Sequence, residues 1–379
     1  MRVMHVITDL TTGGAQMMLL KLLSSQSADS QPAVVSLADE GSLGPQISAL
    51  GVRVCSLGLR RSAPNPFRAL ALRGMTRRIL PEIIQGWMYH GNMMASLAGF
   101  WSKKKVPVLW NIRQTLYDIR SERRMTAAVI RLNARRSQTP AAIIYNSRTS
   151  AEQHETFGFQ AAKRVLIPNG FDCEIFRPDR DAHKQVRAEF GVSPDAVMVG
   201  LIARYHPMKD HVGFLRAASL VVSHNPNVYF LLAGKGVSLR EPALEKAVAE
   251  HRLRDKVFLL GERSDVPRLT AALDIACSAS AWGEGFSNAI GEAMSCGVPC
   301  VVTDIGDSAH IVGDSGLTVA PRSPEALAEA IDRLIEIGQD QRQKLGERAR
   351  RRIESEFSLS AVVRRYEDLY RTLVSDRQS

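Results

Sequence analysis

Cysteine is scarce in this 379-residue chain: there are five, at positions 55, 173, 277, 296 and 300. The number is odd and no two stand as Cys-x-x-Cys. That argues against a disulfide scaffold or a zinc site of ordinary spacing, and fits reduced thiols in the cytoplasm. Long apolar runs are also missing. None approaches the roughly 18 residues that a membrane-spanning helix needs, so no such helix is expected. The opening MRVMHVITDL is broken by His5 and closed by Asp9, too short and too polar for a signal peptide. There is no Walker A loop, no Gly-x-Ser-x-Gly elbow, no internal repeat and no low-complexity segment. What is present is ordinary for a globular chain: 45 % apolar and 23 % charged residues, which excludes a disordered or fibrous protein. Single cores stop growing near roughly 250–300 residues, so two domains are expected.

Acid is what the first half lacks. The chain carries 49 Lys and Arg against 39 Asp and Glu, a net +10. Residues 1–165 hold 22 against 9, a net +13, and the remainder is close to neutral at −3. The excess lies mostly between Arg60 and Arg136, in Arg60-Arg61, Arg77-Arg78, Lys103-Lys104-Lys105, Arg123-Arg124 and Arg135-Arg136. Nucleic acid, an anionic membrane surface or a phosphorylated substrate would suit such a field. So would a solubilising surface with no specific partner. The basic residues are not interleaved with aromatic stacking positions and form no known motif, so no nucleic-acid partner is expected.

Strand-like and helix-like segments alternate twice along the chain. The first half opens with a near-continuously apolar strand over 1–7, then the loop TTGGAQ at 11–16, then helical spacing over 17–24. Further strand patterns fall at 33–37, 52–57, 83–87, 106–111 and 142–146. The second half restarts with strands at 197–205, 228–236, 256–261, 274–279 and 299–304, separated by helices. This predicts two α/β doubly wound units. The boundary is expected in IPNGFDCEIFRP, 167–178, with its two prolines and Asn-Gly turn. Domains over 1–170 and 171–358 follow, with an apolar-periodic final helix in 359–379 packing back on the first.

The densest chemistry is EGFSNAIGEAMSCGVPCVVTD, 284–304. Glu284 is expected in a loop with Gly285 and Phe286, before a helix starting near Ser287 or Asn288, with Glu292 about one turn inside. Free N–H groups at a helix start bind phosphate, and carboxylates accept sugar hydroxyls well. Two such carboxylates beside a phosphate cradle suit a nucleotide sugar. Arg204 and Lys209, in a loop after a strand, supply fixed positive charge for a departing diphosphate. Asp179-Arg180-Asp181 has the form of a metal-binding Asp-x-Asp, but it follows Pro178 in a polar connection and reads as a surface loop. His206, Asp210 and His211 match no closed metal pattern. Gly234-Lys235-Gly236 lacks the third glycine and distal acid of a dinucleotide fingerprint. In the first half, Gly13 and Gly14 would let a ligand approach the backbone, His90 follows the strand-like IIQGWMY, and Arg113 in WNIRQT is a candidate for an acceptor or donor phosphate.

The E-x7-E string resembles the signature of glycosyltransferase family 4. GERSDVPRLTAALDIACSAS at 261–280, GLIARYHPMKDH at 200–211, IPNGFD at 167–172 and GGAQ at 13–16 are similar to the same family. The resemblance covers nearly the whole chain and is densest over 165–320. It is nearest to bacterial enzymes of surface-polysaccharide and lipid-linked glycan assembly. It implies the GT-B fold, two Rossmann-like doubly wound domains facing a cleft, with nucleotide held mainly by the second. It implies retaining transfer from a nucleotide sugar, expected to be a UDP-sugar, to a hydroxyl of a glycan or polyprenyl-diphosphate-linked acceptor. No metal or other cofactor is expected. Under the resemblance Arg204 and Lys209 clamp the diphosphate and Glu284 meets the donor sugar. Glu292 meets the ribose, His90 stands near the anomeric carbon, and Gly13, Gly14, Phe286, Ser287 and Asn288 line the donor. The expected location is the cytoplasm, with weak contact to the anionic inner face of the plasma membrane. Two alternatives stay open on sequence: another GT-B enzyme, such as a nucleotide-sugar epimerase or a phosphorylase, and a basic nucleic-acid-binding protein.

Overall fold

The computed structural model describes residues 1–27, 29–59, 66–102 and 104–376, with backbone alone for 66–69. Arg60, Arg61 and Lys103 of the basic clusters lie outside the described residues. The chain divides into Met1–Gly170 with Leu359–Ser379 (unit 1) and Phe171–Ser358 (unit 2).

Unit 1 is built on seven strands: β1 (Arg2–Ile7), β2 (Gln31–Ser36), β3 (Arg53–Ser56), β4 (Ile83–Trp87), β5 (Val108–Ile112), β6 (Ala142–Tyr145) and β7 (Arg164–Leu166). Their order is β3-β2-β1-β4-β5-β6-β7, all parallel. The order reverses between β1 and β4, the switch point beside which doubly wound sheets bind ligands at strand C-termini. β1 is buried from Val3 to Ile7, as a central strand covered on both faces must be. The helix Leu359–Ser375 completes this unit. Leu359, Val362, Val363, Tyr366 and Tyr370 join the core of Val3, Leu22, Ile83 and Trp87. Tyr366 stacks on Trp87 with ring centroids 6.5 Å apart, and Tyr370 donates its hydroxyl to buried Gln85.

Unit 2 has six strands: β8 (Val197–Ile202), β9 (Val228–Ala233), β10 (Val257–Leu259), β11 (Ile275–Ser278), β12 (Cys300–Thr303) and β13 (Gly316–Val319). They run parallel in the order β10-β9-β8-β11-β12-β13. Its switch point lies between β8 and β11.

Three local expectations are corrected. TTGGAQ is not a loop throughout: the helix begins at Gly14 and Gly13 caps it. Asp179-Arg180-Asp181 is not a surface loop but the start of the helix Arg180–Glu189. The Asp179 carboxylate accepts the N–H groups of Asp181 and Ala182, at 2.9 and 3.0 Å, so it serves as a helix cap. The strand preceding His90 ends at Trp87, and Met88, Tyr89 and His90 form the first turn of the helix Met88–Trp101. The apolar MMASLAGFW lies in this helix, with Met94, Ala95 and Ala98 buried and Phe100 exposed.

Candidate active site

In unit 2 the loop after β8 carries Arg204 and Lys209. It is held from below by the end of β9. Tyr205 N–H donates to the Lys235 carbonyl at 2.8 Å, and Gly234 N–H donates to Gly261 at 2.7 Å. A Cβ on Gly234 would stand 2.1 Å from the Ala203 carbonyl oxygen, and its φ is +151°, so only glycine lets the strands' ends pass this closely. His211 is buried and accepts no charge there: its Nε2–H faces the Ala203 carbonyl at 3.2 Å, and burial lowers its pKa to about 4. Its neighbour Asp210 sits at φ +49° and caps the helix His211–His224 by accepting the Gly213 N–H at 3.1 Å. His206 accepts the Met208 N–H through Nδ1. These side chains therefore shape the loop. Arg204 is exposed and has no ion pair among the described residues.

The loop after β11 meets this one. Ala281 N–H donates to the Met208 carbonyl at 2.8 Å, and Lys209 Nζ is paired with Glu284 Oε2. The same carboxylate oxygen accepts the Ser280 hydroxyl at 3.1 Å. Sequence reasoning missed Ser280, although it stands only four residues before Glu284. Both members of the pair are largely covered, 17 % and 12 % exposed, so their attraction is weakly screened. The Glu284 backbone is fixed from the other side, where a Cβ on Gly306 would lie 2.2 Å from the Glu284 carbonyl oxygen and Asp307 N–H donates to Gly285. Glu292 lies in the second turn of the helix Asn288–Ser295 and is half-buried. Ser287 is buried and makes no side-chain cap bond; Asn288 is exposed at the first helical position.

Phe286 departs from expectation. It is not a donor-facing loop side chain but a core residue, stacked on Phe171 at 6.0 Å and packed against Phe357 at 5.8 Å. Only its backbone is left for a ligand. A depression of 380 Å³ beside the loop is lined by Pro207, Asp210, Trp282 and Arg322 among others, with Arg322 over the Trp282 ring. A larger one of 520 Å³ lies near the N-terminal ends of β11 and β12, away from these groups. Among the described residues no cluster of three or more His, Cys, Asp or Glu could hold a metal ion.

In unit 1 the C-terminal ends of the adjacent strands β1, β4 and β5 carry Gly13 with Gly14, His90 and Arg113 respectively. A Cβ on Gly14 would meet nothing within 4 Å, so packing within the unit does not demand glycine there. The helix it opens has no acid in its first turn and no side-chain cap. His90 is half-buried in the first turn of its helix. Below it, Tyr89 shares a 2.8 Å hydrogen bond with buried His154. Arg113 bonds to Asn111, Asn169 and Tyr366.

Two parallel sheets, each reversing strand order where polar and charged groups gather at the strand ends, are two Rossmann-like domains of the GT-B class. The sequence profile described as Glycosyl transferase 4-like domain matches residues 13–170, and that of Glycosyl transferases group 1 matches residues 194–336. The chain belongs to glycosyltransferase family 4. It is 26 % identical over 224 residues to the UDP-Gal:alpha-D-GlcNAc-diphosphoundecaprenol alpha-1,3-galactosyltransferase of Escherichia coli, covering 57 % of this chain and 56 % of that protein. It is 27 % identical over 187 residues to the lipopolysaccharide core biosynthesis mannosyltransferase LpsB of Rhizobium meliloti (strain 1021), covering 48 % and 53 %. It thus spans about half the length of these curated relatives. The solved structure of Anabaena HepE in complex with UDP shares the fold, with a TM-score of 0.85 at 20 % identity over 98 % of this chain and 100 % of that one. No helix among the described residues is long and apolar enough to cross a membrane.

Proposed function

We propose that this protein transfers a sugar from a UDP-sugar, with retention, to a hydroxyl of a glycan or polyprenyl-diphosphate-linked acceptor in cell-surface polysaccharide synthesis. The observation that carries the reading is the meeting of Lys209 and Glu284 at the unit 2 switch point, two loops from distant sequence holding opposite charges at the ligand end of the sheet. The diphosphate of the donor takes Arg204 and Lys209. Lys209 exchanges its carboxylate partner for phosphate, and Glu284 turns to hydroxyls of the donor sugar. Glu292 accepts from the ribose, and the backbone of Phe286, Ser287 and Asn288 offers N–H groups to phosphate. His90, Gly13 and Gly14 are the groups that unit 1 offers at its own strand ends.

In the proposed step the anomeric carbon–phosphate oxygen bond breaks as the acceptor oxygen forms its bond on the same face. The acceptor proton passes to the leaving phosphate. Fixed cations stabilise the charge that grows there, so no metal is required. The E. coli relative's diphosphoundecaprenol acceptor and the UDP in the HepE structure support the donor and acceptor classes. The work belongs in the cytoplasm, with the basic face of unit 1 resting weakly on the anionic inner leaflet.

Calorimetric titration with UDP, GDP and their sugars, in EDTA, tests the reading. Micromolar binding of one diphosphate series, indifferent to EDTA, is the expected result. No binding of any nucleoside diphosphate would remove it.

A further inference from the structure

Arg113 is the residue that immediately follows β5, at the ligand end of the unit 1 sheet. Its guanidinium is gripped from three chain segments. Nη1 donates to Asn111 Oδ1 at 3.2 Å and to the Tyr366 hydroxyl at 2.8 Å; Nε, at 3.2 Å, and Nη2 both donate to Asn169 Oδ1. Every one of these acceptors is neutral. They occupy four of the five guanidinium N–H groups, and among the described residues the fifth has no partner and no carboxylate lies within ion-pair distance. Asn111 and Tyr366 are fully buried, while Arg113 and Asn169 are half-buried, so the cation is largely covered yet keeps some access to solvent. A guanidinium keeps its charge in such a place, and neutral hydrogen bonds do not repay the cost of desolvating it.

A second positive source adjoins it. Arg113 N–H donates to Met88 Sδ at 3.4 Å, which sets the residue against the start of the 14-residue helix Met88–Trp101. That helix has no acid in its first turn and no side-chain cap, so neither offsets the positive end of its dipole. Met88 itself is held at φ +60°, a conformation that costs a non-glycine residue and that brings the helix up directly from the end of β4.

We infer that Arg113, framed by Asn111, Asn169 and Tyr366 and backed by the start of the helix Met88–Trp101, binds a phosphate or diphosphate group of the acceptor. This rests on the glycosyltransferase reading above, and it makes the acceptor a phosphate-bearing one. The competing role is purely structural, a rivet joining Tyr366 and Asn169 to β5.

The full chain, saturated with UDP to fill the donor site, is titrated with geranyl diphosphate as a short polyprenyl probe. The variants are Arg113→Gln, Arg113→Lys and Tyr366→Phe. UDP affinity is measured in each. Arg113→Gln is expected to weaken the probe by about tenfold or more, as loss of a charge-assisted hydrogen bond does, while leaving UDP affinity unchanged. Arg113→Lys should retain part of the binding, and retention should fall with added salt. Tyr366→Phe keeps the charge, so it should lower the melting temperature while changing probe affinity by no more than about threefold. Equal loss in Tyr366→Phe and Arg113→Gln would establish the rivet and overturn the inference. So would unchanged probe binding in Arg113→Gln, no probe binding to wild type, or a probe that merely competes with UDP. Failure of wild type to bind UDP at all would instead strike the glycosyltransferase reading.

Discussion

The two units share a sheet topology and differ in how they treat arginine. In unit 2 several guanidinium groups are spent on carboxylates. Arg187, 2 % exposed, pairs with Asp274, and Arg263 and Arg268 close a cluster with Glu189 and Asp265. Arg350 and Arg352 pair with Glu354 and Glu356 along one helix. In unit 1 the helix Arg124–Arg136 exposes Arg124, Arg131, Arg135 and Arg136, with Arg123 at its cap, and none has an ion pair among the described residues. Met125 and Leu132 are exposed on the same helix. Those arginines of unit 2 help hold the fold together, as Arg120, Arg164 and Arg371 do through their own ion pairs in unit 1, whereas those on the helix Arg124–Arg136 pair with no carboxylate among the described residues.

Four outcomes would sharpen or break that contrast. The largest concerns stability. Burial alone would raise the Asp274 carboxyl, but His183, Arg187 and the Met198 N–H hold its pKa below the usual range. Asp274→Ala strands the Arg187 guanidinium, which should cost about 3–5 kcal/mol in a denaturant titration. Arg131→Ala should cost less than about 0.5 kcal/mol in the same titration, because no partner is lost.

Next comes activity. Lys209→Ala should lower the rate by about 10²–10³, read as nucleotide release from the donor sugar that binds best.

Acid comes third. Burial holds His5, His154 and His211 neutral, with pKa values lowered to about 3, about 4 and about 4. Unfolding returns each to roughly 6.5, so the unfolded chain takes up protons first as pH falls. The stability they provide is complete above about 6.5 and is lost on descent toward 4, by roughly 1.4 kcal/mol per pH unit for each group. Two of the three lie in unit 1. Hydrogen exchange at pH 7 and pH 5 should therefore show a greater loss of protection in β1 and the helix Arg148–Phe157 than in His211–His224. Equal losses would break the contrast.

The smallest effect is at the surface. Flotation with vesicles containing phosphatidylglycerol should retain the wild type at low salt and release it at high salt. Arg131→Glu with Arg135→Glu should reduce the bound fraction, each arginine contributing on the order of 1 kcal/mol. Absence of binding at low salt would leave the basic face without a membrane role.

The strands most legible in the sequence are the central ones. β1 and β4 read clearly because both faces are covered and nearly every residue is apolar. β7, with the sequence Arg-Val-Leu, and β13, Gly-Leu-Thr-Val, escaped notice because each is a short edge strand with much of its surface exposed or half-exposed. The helix at Gly14 hid its start because it lacks the side-chain cap that marks one. Asp179 was hidden for another reason: after Pro178 in a polar stretch it reads as part of a surface loop, whereas its carboxylate caps the helix Arg180–Glu189. The E-x7-E string located the helix and both carboxylates, but a motif does not say which way Phe286 points. Nor could spacing bring Lys209 to Glu284, 75 positions away, or Arg113 to Tyr366 in the last helix. Those contacts exist only once the sheets have formed.

In the proposed donor site Lys209 stays on Glu284 until a diphosphate replaces the carboxylate. UDP titration of wild type, Lys209→Ala and Glu284→Gln, all in EDTA, tests it most directly. UDP lacks the sugar, so releasing Lys209 should help it: Glu284→Gln is predicted to bind UDP more tightly than wild type and UDP-sugar less tightly, while Lys209→Ala loses both. Weaker UDP binding in Glu284→Gln, or unchanged binding in Lys209→Ala, would contradict the account.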